Sequence, residues 1–562
     1  MKKRIVICEY ISTGLNLIDD ALARGYEPVL LEGSYDALNE NAEIFRRERA
    51  RINASFHGRY TIIPENPDYD AVLNQVRALD PVLVIAGSEF GVPIACRLAE
   101  DLGLPGNPAD RIRAMTEKDA MHEALRDHGL RYIRGKVVCS EQEAEAFCDE
   151  LGTEEVVVKP PRGAATLGVY ICHGREEMLK AVRIGLEASR KEGWEAPGIL
   201  IQERIKGTEY IVNTVSCNGR HRVVSVWVYD KVKMPNGGNV YNTAMCVPRL
   251  EVGHSRLLRY ACQVADAIGI KYGPVHGEYM VDEQGPVLIE VNCRPMGGGM
   301  HRKFVERIFG QHETDSALDS YLNPERFERA ALKKYQIKEF GAIKLFIQKK
   351  ETEVLSAPIL QIAMHLKSFH SASFGQIGSS DRMPETQDLE TAGGTAFLIH
   401  EDEQQVRADC ELLHLLEMKY PRILFQDSLE EKKTGAVRRD MDTLAKHAMN
   451  RGTTLIFSDS SDCPEGLVAV NANNLKEAYD SFEVGILDIS APESFRDLES
   501  IVQLIFTFAG KIRKGGIILI PESTYCNLPY GMEGMEILLK VAGLSIELPV
   551  AGKPELLVAS VQ

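Results

Sequence analysis

No apolar run in this 562-residue chain approaches the ~18 residues that would make a membrane-spanning helix. The opening stretch MKKRIVICEYISTG reaches Glu9 after five apolar-leaning positions, too short for the apolar region of a secretory signal. A cytoplasmic location is therefore expected. The twelve cysteines include no CxxC pair, and Cys8, Cys172 and Cys217 sit inside apparent strands. They read as small buried hydrophobes in a reducing compartment, not as disulfides or zinc ligands. Basic residues are in deficit, 65 Lys and Arg against 81 Asp and Glu, for a net charge of −16. That balance argues against a broad phosphate-binding surface for nucleic acid. An anionic ligand has to be met by a local cluster of lysines and arginines. The turn after the first strand, CEYISTG, lacks GxGxxG, and GxxxxGK[ST] occurs nowhere, so a dinucleotide fold is not indicated and a P-loop is excluded.

What is present is the balance of a soluble globular protein, 44% apolar and 26% charged, with length for about three or four domains. Strands at 4–8, 27–32 and 82–87 alternate with helices at 13–25 and 69–79 and one ending near Gly103. This is the pattern of a small parallel α/β domain closed by LPGNP at 104–108. One helix is expected over RIRAMTEKDAMHEAL (111–125), then strand, helix and strand through 137–173. The strand VVVKP at 156–160 runs into PRGAATLG, whose small residues allow backbone N–H groups to approach an anion. Further strands lie in 198–219 and 223–233, and a helix at 253–268 follows.

The stretch with most chemistry is VHGEYMVDEQGPVLIEVNCRPMGGGM, residues 275–300. It reads as two strands around a tight connection. Alternation places His276, Glu278 and Met280 on one face and, in the second strand, Glu290 and Asn292 on one face opposite Val287, Ile289 and Val291. A loop of three or five residues would bring the polar faces together, so that Glu278 meets Glu290. Facing carboxylates repel without a cation. With Asn292 they form an all-oxygen cluster suited to Mg²⁺. Arg294 follows at once, placed for a phosphoryl or carboxylate oxygen.

Lys118 in TEKDAMHEAL, Lys159 in VVVKP, the loop from Gly163 through Thr166 to Gly168 and Val169, the hinge IQERIKGTE, and Glu278, Glu290, Asn292 and Arg294 fall in one order. Together they resemble the ATP-grasp superfamily over about residues 1 to 425, and within it the carboxylate–amine ligases of the L-amino acid ligase type. The resemblance implies ATP and Mg²⁺, or Mn²⁺ in its place, as cofactors. It implies phosphate binding by Lys118, Lys159 and the loop of Gly163, Thr166 and Gly168. Adenine contact would fall to Gln202, Glu203 and Ile205, and ribose contact to Glu209. Glu278, Glu290 and Asn292 become the metal ligands, and Arg294 and His276 the catalytic pair. Substrate contacts are expected from Lys231, Tyr241, Gly298 and Gly299, with Lys233 a further phosphate candidate. The chain departs from the family pattern at Cys293, where proline is usual, and at Ala164 and Ala165, where Ser and Gly are common.

The resemblance implies an α/β ATP-grasp fold: an N-terminal α/β domain at 1–110, a core at 111–322 with a lid at about 120–205, and a C-terminal part at 323–427. The charged segment 428–442 reads as a linker. Residues 443–562 alternate strand and helix and end in an antiparallel pair, resembling a class I methyltransferase fold. The first strand leads into SDSSDCPEG instead of a glycine-rich cofactor loop, so a Rossmann-like module without cofactor is expected. His400 and His414 read as structural. The expected activity is ATP-dependent joining of a carboxylate, foremost an amino acid, to an amine through an acyl phosphate. Its partners are then small molecules, with neither nucleic acid nor membrane, and a homodimer is an open assembly. A nucleotide-binding scaffold without turnover and a bifunctional ligase–methyltransferase are the competing readings.

Overall fold

The computed structural model divides into two compact units, residues 1–341 and 342–562. It describes residues 2–34, 42–56, 58–153, 155–162, 168–191, 198–234, 239–248, 252–353, 357–374, 382–387 and 391–419, then 454–458, 468–470, 482–488, 498–521, 535, 538–547 and 556–561.

The first unit opens with β1 (Arg4–Cys8), α1 (Asn16–Ala23), β2 (Glu27–Leu31), α2 (Ala42–Phe56), β3 (Thr61–Ile63), α3 (Tyr69–Ala78), β4 (Pro81–Ala86) and α4 (Val92–Asp101). The strands form a parallel sheet in the order β3-β2-β1-β4. RIVIC and PVLVIA are near-continuous apolar runs because both faces of such a sheet are covered. Helix α3 starts where the Asp68 carboxylate accepts from the Ala71 N–H at 3.1 Å. The sequence reading does not place α2.

The helix expected over 111–125 is two helices, α5 (Ile112–Thr116) and α6 (Lys118–Asp127). Glu117 between them is extended, at φ −116° and ψ 125°. Its backbone break frees the Lys118 N–H to donate to the Pro161 carbonyl at 3.0 Å. Arg162 and Arg113 both donate to the Glu117 carboxylate. Polar contacts to the chain before the glycine loop thus replace the helical bonds lost at the break.

The lid contains β5 (Gly135–Val138), α7 (Glu141–Leu151), β6 (Glu155–Lys159), β7 (Tyr170–His173), α8 (Arg175–Lys191) and β8 (Ile199–Glu203). Its sheet is antiparallel in the order β5-β8-β6-β7. Val138, Phe147, Val158, Val182, Leu186 and Ile201 give it an apolar cluster of its own.

Next come β9 (Thr208–Cys217), β10 (Arg220–Lys233), β11 (Asn239–Cys246), α9 (Val252–Ile268), β12 (Gly273–Asp282) and β13 (Gly285–Asn292). They make an antiparallel sheet running β13-β12-β9-β10-β11. Asn218 and Gly219, at φ 48° and 77°, close the β9–β10 hairpin as a turn that needs two left-handed residues. One face of this sheet packs Val212, Tyr279, Leu288 and Val291 with Leu257, Val264 and Ile268 of α9 and Val6, Val84 and Leu98 of the N-terminal layer. Its other face carries the polar residues discussed below. The unit continues through α10 (Arg302–Phe309), α11 (Glu313–Leu322) and α12 (Pro324–Ala331).

In the second unit, Phe340–Phe346, Gly394–His400 and Phe369–Phe374 are successive neighbours in a sheet. A second sheet runs Val468–Val470, Thr454–Ser458, Phe482–Asp488, Ile512–Pro521, Leu556–Val561 and Leu544–Glu547. Its first four strands are parallel and its last two antiparallel, a Rossmann-like arrangement. The linker 428–442 and most of the SDSSDCPEG loop lie outside the described residues. Contacts nevertheless join the two sides of that linker: the His365 ring, ending the helix Pro358–Met364, stacks on Phe506 of the helix Leu498–Ala509 at 4.0 Å. No helix among the described residues is long and apolar enough to cross a membrane.

Candidate functional site

Glu278 and Glu290 stand directly opposite each other in the β12–β13 ladder, and His276 stands opposite Asn292. The loop is not the odd-numbered one expected. Asp282 pairs with Gly285 around a two-residue turn, and Tyr279 pairs with Leu288. The odd residue is Ile289, extra on its strand between Leu288 and Glu290. Such a β-bulge re-aims the side chains beyond it. The turn itself is pinned by Arg131, which donates to both Asp282 oxygens at 2.7 and 2.6 Å.

On the β9 side, Asn213 lies opposite His276 and Glu209 opposite Met280. Asn213 Oδ1 accepts from His276 Nδ1 at 2.9 Å, which leaves Nε2 facing Glu278 Oε1 at 3.3 Å. Burial and the Arg294 charge bring the His276 pKa down to about 3, so the ring is neutral. Burial, reinforced by the facing Glu290, raises the Glu278 carboxyl to about 7. Burial also opposes ionisation of Glu290, but Lys118 and Lys159 outweigh it and hold this carboxylate at about 2. One facing acid is thus held ionised, while the cations acting on the other, Lys231, Arg294 and Lys118, offset its burial only in part.

The cations come from the helix break and the lid. Lys118, at the first position of α6, puts Nζ 3.0 Å from Glu290 Oε2. Lys159, at the end of β6, is buried, and burial together with the Lys118 charge lowers its pKa to about 8. Gly163 and Thr166 lie outside the described residues; Gly168 is exposed with φ +69°.

At the hinge, Gln202 is buried and its Nε2 has no hydrogen-bond partner among the described residues. The Glu203 carboxylate accepts from Arg134 N at 2.9 Å and Nε at 3.0 Å. Ile205 is half-buried in the connection to β9. Glu209 is buried, taking Lys231 Nζ at 2.6 Å and the Tyr241 hydroxyl at 3.2 Å. Lys231 also lies over the Tyr241 ring, 4.1 Å from its centroid. These two expected substrate contacts therefore serve Glu209, and Lys233 is exposed.

Arg294 is half-buried, and its Nε donates to Glu89 at 2.6 Å. Glu89 follows β4, at the end of the parallel sheet where ligands meet α/β layers. The sequence reading missed it, although SEF directly after VLVIAG was the available signal. The glycine run does not open a helix. Gly298 and Gly299 are left-handed, at φ 78° and 59°, and α10 begins only at Arg302. Gly299 N donates to Ser12 Oγ at 3.0 Å and Met300 N to Thr13 Oγ1 at 2.9 Å. Cys293, where the family pattern has proline, is buried and belongs to the apolar cluster under the sheet.

A family model described as an ATP-grasp domain matches residues 153–302. Dapdiamide A synthase of Enterobacter agglomerans is 28% identical over 329 residues, 58% of this chain and 75% of that protein. The crystal structure of an L-amino acid ligase from Bacillus licheniformis has a TM-score of 0.56 at 19% identity and covers 74% of this chain and 97% of its own. N5-carboxyaminoimidazole synthetase from Staphylococcus aureus, complexed with ADP, gives 0.53 at 14% identity, covering 74% and 98%.

Proposed function

Starting from a chain with the ATP-grasp fold, we propose that it is an ADP-forming carboxylate–amine ligase that makes an amide bond with an amino acid as its carboxylate substrate. The observation that carries this is the rung of Glu278 and Glu290 with Asn292 beside it, one acid held ionised by Lys118 and the other only partly compensated. A partly compensated carboxyl beside an ionised one and an amide oxygen fits a hard divalent cation. Mg²⁺ or Mn²⁺ held by Glu278, Glu290 and Asn292 would neutralise the β- and γ-phosphates of ATP.

An amine cannot displace hydroxide from a carboxylate at neutral pH. Transfer of the γ-phosphoryl group to the carboxylate converts that oxygen into a leaving group, and attack by the amine then expels phosphate. The chain contributes positioning and charge. Lys118 and Lys159 bind phosphate oxygens, aided by the loop of Gly163, Thr166 and Gly168. Gln202, whose amide nitrogen has no hydrogen-bond partner among the described residues, meets adenine with Glu203 and Ile205 of the hinge, and Glu209 meets the ribose hydroxyls. Arg294, oriented by Glu89, steadies the oxygens of the acyl phosphate. Neutral His276 orients a substrate group from the same face.

The test is a screen of amino-acid pairs for ATP-dependent phosphate release, with mass spectrometry of the products. Release stimulated by a pair, with an amide product, is expected. Glu290→Gln, which keeps the shape but loses the charge, should abolish it. Tight ATP binding without stimulated release from any pair would instead favour a nucleotide-binding scaffold.

A further inference from the structure

Beside the rung of acids lies a second, partly enclosed space of about 20 Å³. Asn213, Ser225, Trp227, Met296, Met300 and Glu313 are among its walls. It adjoins the site through Asn213, whose side chain also holds His276. Its walls are largely apolar or already satisfied. The Asn213 amide donates to Ser225 Oγ at 2.8 Å and to Met296 Sδ at 3.2 Å. His312, at the edge, is committed through Nε2 to Asp20 at 2.9 Å and through Nδ1 to Glu306 at 2.6 Å.

Glu313 is the exception. It opens α11, is only 9% exposed, and accepts from Met296 N through Oε2 at 3.1 Å. Its other oxygen, Oε1, is buried with no hydrogen-bond partner among the described residues. A carboxylate at a helix start is favoured by the helix dipole, which accounts for the bonded oxygen but not for the orphaned one. A buried oxygen left in this way calls for a donor that the surrounding side chains do not supply. Arg294, whose charge acts on Glu313, is bound to Glu89. Burial accordingly lifts the Glu313 pKa to about 8.

We propose that Glu313 and this cavity, which has room for one group of about that size, receive the ammonium group of a substrate amine. A buried acid lacking a donor selects a group with several N–H bonds and positive charge and rejects anions. Which substrate supplies the ammonium, the activated amino acid through its α-amine or the incoming amine, is left to the experiment. The assignment rests on the ligase reading for the reaction, but not for the binding.

Wild type and Glu313→Gln are titrated by calorimetry with each of the twenty L-amino acids, with MgATP, and with the 2-hydroxy acid matching each amino acid that binds. The wild type should bind at least one amino acid and lose the matching hydroxy acid. Glu313→Gln should weaken that amino acid at least tenfold and leave MgATP unchanged. Absence of amino-acid binding by the wild type, equal binding of the hydroxy acid, or unchanged affinity in Glu313→Gln overturns the assignment. If Glu313→Gln fails to fold, Glu313→Asp takes its place and should retain part of the binding, because the carboxyl that ionises against the ammonium is kept. In turnover, KM should rise for the one substrate whose amine lies there, with kcat changed less. Turnover with both KM values unchanged refutes the cavity and keeps the ligase. Amine-dependent binding without turnover supports the cavity and refutes the ligase.

Discussion

Replacing Lys159 with methionine should make the ligand-free protein more stable and its nucleotide binding worse. The ε-amine is buried close to the Lys118 charge, and its pKa falls from the ordinary 10.5 to about 8. At about 1.4 kcal/mol per pH unit, that displacement is a folding cost of roughly 3 kcal/mol. The sign follows from proton binding. Between about 8 and 10.5 the unfolded chain holds the proton more tightly, so wild-type stability climbs with pH there. Below pH 8 the cost is present in full. Methionine has similar length and no charge, so at pH 7 the variant should gain stability toward that ceiling, about 1–3 kcal/mol. The gain should shrink as pH is raised from 8 to 10. MgATP affinity should fall by about 1–3 kcal/mol through loss of a charged hydrogen bond. Urea unfolding at pH 7 and 9.5, with calorimetry for MgATP, tests both halves. A variant less stable than wild type at pH 7, or one with wild-type MgATP affinity, would refute the picture of an amine buried at a cost for the sake of phosphate.

Gly207→Ala should destabilise the first unit by about 1–3 kcal/mol through overpacking, because a Cβ there would meet the Val281 carbonyl oxygen at 2.3 Å. An unchanged melting temperature would show that the hinge can move aside. Glu290→Gln should stop phosphate release yet shift the melting temperature by only a few degrees, since Glu278 remains to take up the Lys118 and Lys159 charges; a variant that does not fold counts against this. Residues 1–440 should bind MgATP as the full chain does, because Lys118 to Arg294 lie within residues 1–341. The same truncation removes Phe506 from His365, so reduced solubility or a new oligomer is expected by light scattering. Loss of MgATP binding by a folded, soluble truncation would overturn the first half of that prediction.

Period-two alternation was enough to put Glu278 and Glu290 on compatible faces, but not to say how they meet. The extra residue at Ile289 has no signature of its own, because a bulged isoleucine and a paired one look alike in a strand of apolar residues. Helical periodicity ran unbroken through Thr116 and Glu117, since the break there depends on Pro161 and Arg162, which are distant in sequence. Lys118 and Lys159 were legible as charges in motifs. Their coupling to Glu290 was not, being a product of three elements packed together. Glu89 and Glu313 escaped for a related reason. Each is an ordinary acid in its local sequence and acquires meaning only from Arg294 in one case and from a missing donor in the other. The parallel N-terminal layer, by contrast, was readable because strands covered on both faces write themselves as apolar runs.

The lid enters and leaves the rest of the unit at a single point. Arg134 and Glu203 exchange backbone and side-chain bonds, with Glu203 N donating to Arg134 O at 2.9 Å and Arg134 N to the Glu203 carboxylate. The strand after Arg134 pairs with the strand ending at Glu203, Gly135 facing Gln202. An insertion whose two ends touch and whose apolar cluster is its own is a separable part. Residues 135–202 should therefore be exchangeable as one cassette with the matching segment of a relative, and the graft would carry Lys159 and the glycine loop while leaving Lys118 and the facing acids behind. Amide hydrogen exchange should report the same seam, with protection in the lid lost as one block at a lower free energy than in the sheet beneath it.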